Sequence, residues 1–138
     1  MKWQWSLLKM LKNRQDQKIA LAIDTSTNQT RTMLISNIVK FFGEMKPDAT
    51  LIQADYKIRT VEPINEATNA DIKYYTHGKS SYTEVLEWAE KENIDALFYI
   101  TDVTGYYYDE INVSFDVFWL IPDDFVPRVP FGRAITVA

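Results

Sequence analysis

Two periods of hydrophobicity alternate along this chain, one helical and one extended, and the changes of period mark its elements. Between Trp3 and Lys12, the residues Trp3, Leu7, Leu8 and Leu11 fall on one helical face, with Lys2, Lys9 and Lys12 around its edge. This amphipathic helix is expected to pack on the protein's own sheet; a surface for a partner or for anionic lipid is the alternative. "KIALAID" then reads as a buried strand, with Ile19, Leu21 and Ile23 facing one way and Ala20 and Ala22 the other. Leu34, Ile35, Ile38, Val39, Phe42 and Met45 recur at helical spacing, and Gly43 with Pro47 is expected to close that helix. "TLIQAD" predicts a second strand and "KIRTVEPI" an edge strand. "SSYTEVLEWAEKEN" places Tyr82, Val85, Leu86 and Ala89 on one helical stripe. "DALFYITD" and "FDVFWLIP" predict further strands, and a short one is expected from Ala134 to Val137. Neither "NEATNADIKYYTHGK" nor "GYYYDEINVS" has a periodicity that assigns it.

Strands alternating with helices predict a three-layer α/β fold: an open, Rossmann-like, mostly parallel sheet with helices on both faces. The chain divides into an amphipathic helix over residues 1–16 and one α/β domain over residues 17–138. In such sheets ligands bind beyond the carboxyl ends of the strands, where the strand order reverses. Asp24 and Asp102 both end strands of this kind.

Composition narrows the chemistry. An apolar content of 46% and a charged content of 25% are those of an ordinary globular protein. A net charge of -4 leaves no electrostatic footprint for nucleic acid. With no cysteine there is no disulfide, thiol catalysis or thiolate metal site, and the lone His77 excludes multi-histidine zinc sites. A metal would be held by oxygen, which selects magnesium, manganese or calcium. No apolar run approaches the roughly eighteen residues that a membrane span needs. "MKWQWSLLKMLKNR" is interrupted by Gln4, Lys9 and Lys12 and is followed by no small-residue cleavage site, so no signal peptide and a cytoplasmic location are expected.

The candidate chemistry begins in "DTSTN", where Asp24, Ser26 and Asn28 set out oxygens at alternate positions after a buried strand. A hydroxyl from the Lys79–Ser81 turn and the carboxylate of Asp102 would complete an oxygen cage for a hard cation. Two carboxylates brought together without a cation repel, and a divalent ion relieves that repulsion. Ser81 and Glu84 form an S-x-x-E pattern, the signature of a capping box, which leaves Ser80 to face the cation. The plainer alternatives are that Ser26 or Asn28 caps the following helix and that Asp102 is a polar strand stop. Asp55 also ends a strand, with nothing clustered beside it, and a cap or turn is its expected role.

In this order "LAIDTSTN", "HGKSSYTEV" and "ALFYITD" resemble the three loops of a von Willebrand factor A (VWA) domain and its metal-ion-dependent adhesion site. More narrowly, the chain is similar to the bacterial VWA-like domain found downstream of a proposed metallopeptidase region. Family members typically read D-T-S-G-S, G-G-G-T-D-F and T-D-G; here the loops are Asp24-Thr25-Ser26-Thr27-Asn28, His77-Gly78-Lys79-Ser80-Ser81-Tyr82 and Thr101-Asp102-Val103. "DVFWLIP" and "VPFGRAITV" resemble the family's late tryptophan strand and terminal P-F-G segment, and "WQWSLLKMLKNR" the helix before its first strand. The resemblance implies a non-enzymatic binding module in which Asp24, Ser26, Asn28, Ser80 and Asp102 hold Mg2+ (or Mn2+ or Ca2+), weakly or not at all in the free protein. It leaves one coordination position for an acidic side chain of a protein partner, and the relatives point to a MoxR-type AAA ATPase. No segment resembles the metallopeptidase region, so no hydrolytic activity is expected.

Two departures stand out: Asn28 replaces a serine ligand, and His77-Gly78-Lys79 replaces a triple-glycine turn. They keep open a metal-free scaffold, for which Tyr106-Tyr107-Tyr108 would supply an aromatic binding face. "LAIDTSTNQTRTMLI" also resembles the phosphate loop of actin-like nucleotide-binding enzymes, but Leu34 to Met45 follow helical spacing instead of the alternation that fold requires. A dehalogenase-type phosphatase needs a second aspartate where Ser26 stands.

Overall fold

The computed structural model describes residues 2–26, 31–66, 72–74, 81–103, 113–122 and 128–137. Its strands are β1 (Ile19–Asp24), β2 (Thr50–Ala54), β3 (Ile58–Pro63), β4 (Ala96–Ile100), β5 (Asp116–Ile121) and β6 (Arg133–Thr136). They form one sheet in the order β3-β2-β1-β4-β5-β6, with only β3 antiparallel, at an edge. Among the described residues three α-helices, α1 (Lys2–Lys12), α2 (Thr32–Met45) and α3 (Thr83–Lys91), cover its two faces. No described helix is long and apolar enough to cross a membrane.

The alternation in β1 sets the layers. Ile19, Leu21 and Ile23 pack with Leu7 and Leu11 of α1 and with Ile35, Ile38 and Phe42 of α2. Ala20 and Ala22 lie on the opposite face, where their small side chains admit Tyr82 and the Val85, Leu86 and Ala89 stripe of α3. The N-terminal helix thus joins the core through Trp3, Leu7 and Leu11, but Leu8 does not; it is half-buried at the surface. The expected grouping of Leu8 with the core stripe is corrected accordingly.

Local chemistry explains the helix ends. Gly43 lies inside α2, with Ile64 packed near its Cα side, so it does not close the helix. Closure comes at Lys46, whose φ of -142 and ψ of 70 lie outside the helical region that a following proline disfavours. At the end of α3, Asn93 adopts a φ of 56 and its N–H returns to Glu90 O (3.2 Å), while Ile94 N–H returns to Ala89 O (3.0 Å). That is a Schellman closure with asparagine in the usual glycine position. Gly132, before β6, has a φ of 72, and a Cβ there would lie 2.4 Å from Val117 O. Glycine is required both by the backbone angle and by the close approach to β5. Beside it, Trp119 Nε1–H donates to Phe131 O (2.7 Å), and the buried indole stacks on Tyr99.

Candidate metal centre

The strand order reverses between β1 and β4, since β2 lies on one side of β1 and β4 on the other. The parallel register pairs Ile23 with Ile100, so the next residues, Asp24 and Thr101, meet at the carboxyl edge of this switch point. Asp24 is 1% exposed. Its Oδ1 accepts from Ser26 N–H (3.0 Å) and from the Ser26 hydroxyl (2.5 Å), and its Oδ2 accepts from the Thr101 hydroxyl (2.6 Å). The two short O–H···O contacts are those expected when the acceptor is a charged carboxylate.

The proton directions follow from the donor count. A threonine hydroxyl has one hydrogen, and Thr101 gives it to Asp24. Tyr82 OH, 2.8 Å from Thr101 Oγ1, therefore donates to it, as does Val103 N–H at 3.1 Å. Tyr82 immediately precedes α3, so this chain of bonds ties the helix on one face to the carboxylate at the sheet edge. Thr101 and the Tyr82 hydroxyl were not among the expected site residues. The sequence signal for Thr101 was its place directly before Asp102, whereas the hydroxyl of Tyr82 was hidden in an apolar helical stripe.

Asp102, half-buried, follows Thr101 on the same edge. The next residue, Val103, has a φ of 60, the left-handed region that favours glycine. A β-branched side chain bears strain there, worth about 1–3 kcal/mol; the T-D-G pattern that the loop resembles has glycine at this position. Thr25, between the two candidate ligands, donates its N–H to Ala54 O (2.8 Å) and fixes the first loop to β2. Its hydroxyl and that of Tyr99 are buried without a hydrogen-bond partner among the described residues. Burial first, and the nearby charge of Asp24 second, push the Tyr99 phenol well above its usual pKa.

Asn28 and Ser80, with His77, Lys79 and Tyr106–Tyr108, lie outside the described residues. Ser81 is described, and the expected capping box is not formed. Tyr82, not Ser81, precedes α3, and no side chain caps it. The Glu84 carboxylate instead accepts from Ile58 N–H at the start of β3 (3.0 Å), so an edge-strand donor outcompetes the local motif. Ser81 therefore has no capping role that would distinguish it from Ser80.

Asp55 takes the expected turn role and adds an ion pair. Its Oδ1 accepts from Lys57 N–H (3.2 Å), and Arg59 grips both carboxylate oxygens at 2.9 and 2.8 Å. Burial pushes its pKa up, but the Arg59 fork and the Lys57 N–H outweigh that and hold it below the usual 3.8. A depressed folded-state pKa means stability that is present above the unfolded value and lost as pH falls through the folded one. Arg59→Ala is therefore expected to cost about 1–2 kcal/mol near neutral pH and to move the acid-unfolding midpoint to higher pH. Urea melts between pH 2 and pH 7 check this; an unchanged acid midpoint would refute it.

The donor set fits a hard cation. Among the described residues no three His, Cys, Asp or Glu side chains cluster. The Ser26 hydroxyl directs its proton to Asp24, which leaves its lone pairs for another electrophile. All the groups are oxygens, the chemistry that magnesium takes. Residues 19–138 match a family described as a VWA-like domain (DUF2201). No curated protein matches the chain.

Proposed function

The chain belongs to this VWA-like domain family, and from that premise we propose that it is a non-enzymatic binding module whose metal-ion-dependent adhesion site recognises an acidic group on a protein partner. Asp24, Ser26 and Asp102 would hold the ion, with Asn28 and Ser80 from the adjoining loops. When bound, a divalent cation supplies one open coordination position for a carboxylate of the partner. The observation that carries this reading is the Ser26 hydroxyl's donation of its proton to Asp24, which leaves its lone pairs unused by that bond, at the switch point of the sheet.

The binding role is favoured over catalysis because, among the described residues, the Ser26 hydroxyl meets no group other than Asp24 that could take its proton. Its proton acceptor is Asp24, whose oxygens already take Ser26 N–H and Thr101 as well. A MoxR-type AAA ATPase is the first partner class to test. The immobilised chain is expected to retain such an ATPase in magnesium, to release it in EDTA, and to lose it in Ser26→Ala. Equal recovery in magnesium and EDTA would overturn the reading. A second reading rests on the same cluster: Asp24 is satisfied by three donors without any cation, which suits a metal-free scaffold.

A further inference from the structure

Charge is distributed unevenly along this acidic chain. Five of its fifteen basic residues, but one of its nineteen acidic ones, fall in the first eighteen positions. Helix α1 carries lysines and no acidic residue, and it lies outside the residues matched by the family. Its core stripe is Trp3, Leu7 and Leu11. The opposite stripe is not simply polar. Trp5 is 65% exposed, Leu8 is half-buried, and Lys9 and Lys12 stand exposed beside them. Trp5, Leu8 and Gln4 line a groove of about 190 Å³ against Phe41 of α2. On α2, the exposed Lys40 and Glu44 close to Phe41 in sequence are of opposite sign and add no net charge to that of Lys9 and Lys12 on α1.

We propose that this α1–α2 groove docks an acidic amphipathic segment of a protein partner, apolar side chains entering beside Trp5 and carboxylates meeting Lys9 and Lys12. Exposed tryptophan flanked by lysines suits a partner that is apolar in the middle and negative at its margins. A groove between two helices is concave and receives a protruding side chain, as helix-in-groove recognition requires. A bilayer offers no such projection. None of the residues that line the groove is a candidate ligand of the Asp24 cluster, so docking here is expected to be independent of metal.

The test uses the full chain and a labelled helical probe peptide with leucines at i, i+4 and i+7 flanked by glutamates, beside a lysine-flanked counterpart. Fluorescence anisotropy at low salt is expected to show the glutamate peptide bound at least about tenfold more tightly. Lys9→Glu with Lys12→Glu should reverse the preference, Trp5→Ser should remove binding of both, and EDTA should change nothing. Both lysines are exposed, so the charge-reversed variant should melt like the wild type by circular dichroism. Equal binding of the two peptides, or binding of neither, overturns the proposal. So does Trp5-dependent binding to phosphatidylserine–phosphatidylcholine vesicles without peptide binding, or Trp5-dependent self-association in sedimentation, because the face would then belong to lipid or to a second copy.

Discussion

Thr101→Val is expected to cost about 3–5 kcal/mol of folding stability, while Thr101→Ser should cost less than about 1 kcal/mol. Valine matches the shape of threonine, so it opens no cavity and isolates the polar effect. What it removes is one hydroxyl that bonds three groups: the Asp24 carboxylate, the Tyr82 phenol and Val103 N–H. A hydrogen bond to a charged group is worth about 1.5–3 kcal/mol and a neutral one about 0.5–1.5 kcal/mol, and all three lie in a buried or half-buried setting. Serine keeps the hydroxyl and loses only a methyl group. Urea denaturation of the three proteins measures the difference. If Tyr82→Phe is combined with Thr101→Val, the two effects should fall well short of additive, since both remove the same bond. A valine variant within 1 kcal/mol of the wild type would mean that the network does not hold the carboxylate.

That network marks where the sequence was readable and where it was not. The faces of β1 could be read because a strand has a side-chain period of two, and leucine or isoleucine against alanine leaves a visible size difference. The edge position of "KIRTVEPI" was readable too, because its mixed polarity and terminal Pro63 suit a strand paired on one side. Asp24 was legible as a charge that ends a buried strand at a carboxyl edge. Thr101 was not, because a threonine after an apolar strand also satisfies ordinary strand preference. Nor does sequence show which hydroxyl reaches across: Asp24 and Thr101 lie 77 positions apart and meet only through the β1–β4 register.

The same limit accounts for the two local errors. S-x-x-E is a sound motif within a helix, but Glu84 was claimed by the N–H of Ile58, a residue 26 positions away. Leu8 fits the apolar stripe of an isolated helix, yet α1 meets the sheet and α2 along Trp3, Leu7 and Leu11, and that contact line decides which leucine is covered. Tertiary competition is invisible to a local pattern. Val103 shows the opposite case, since a β-branched residue adopts a backbone conformation that its side chain disfavours and that no local preference would predict.

Magnesium is expected to stabilise the wild-type protein by about 2.7 kcal/mol when present at about one hundred times its dissociation constant, through binding to the folded state alone. For a domain of 138 residues that corresponds to a rise in melting temperature of roughly ten degrees. The informative quantity is the shift between magnesium and EDTA within each variant, because the substitutions also change the fold's own stability. Ser26→Ala removes a neutral ligand and its hydrogen bond to Asp24, and Asp102→Ala removes the second carboxylate; each should reduce the shift to near zero. Asp24→Ala should do the same but start from a lower melting temperature, since Ser26 and Thr101 lose their acceptor. Arg59→Ala, which acts on Asp55 at the neighbouring strand end, should lower the melting temperature and leave the magnesium shift intact. A shift that survives Ser26→Ala would place the ion elsewhere. Its absence from the wild type at millimolar magnesium would select the metal-free scaffold, in which the Asp24, Ser26 and Thr101 cluster serves only to close the edge of the sheet.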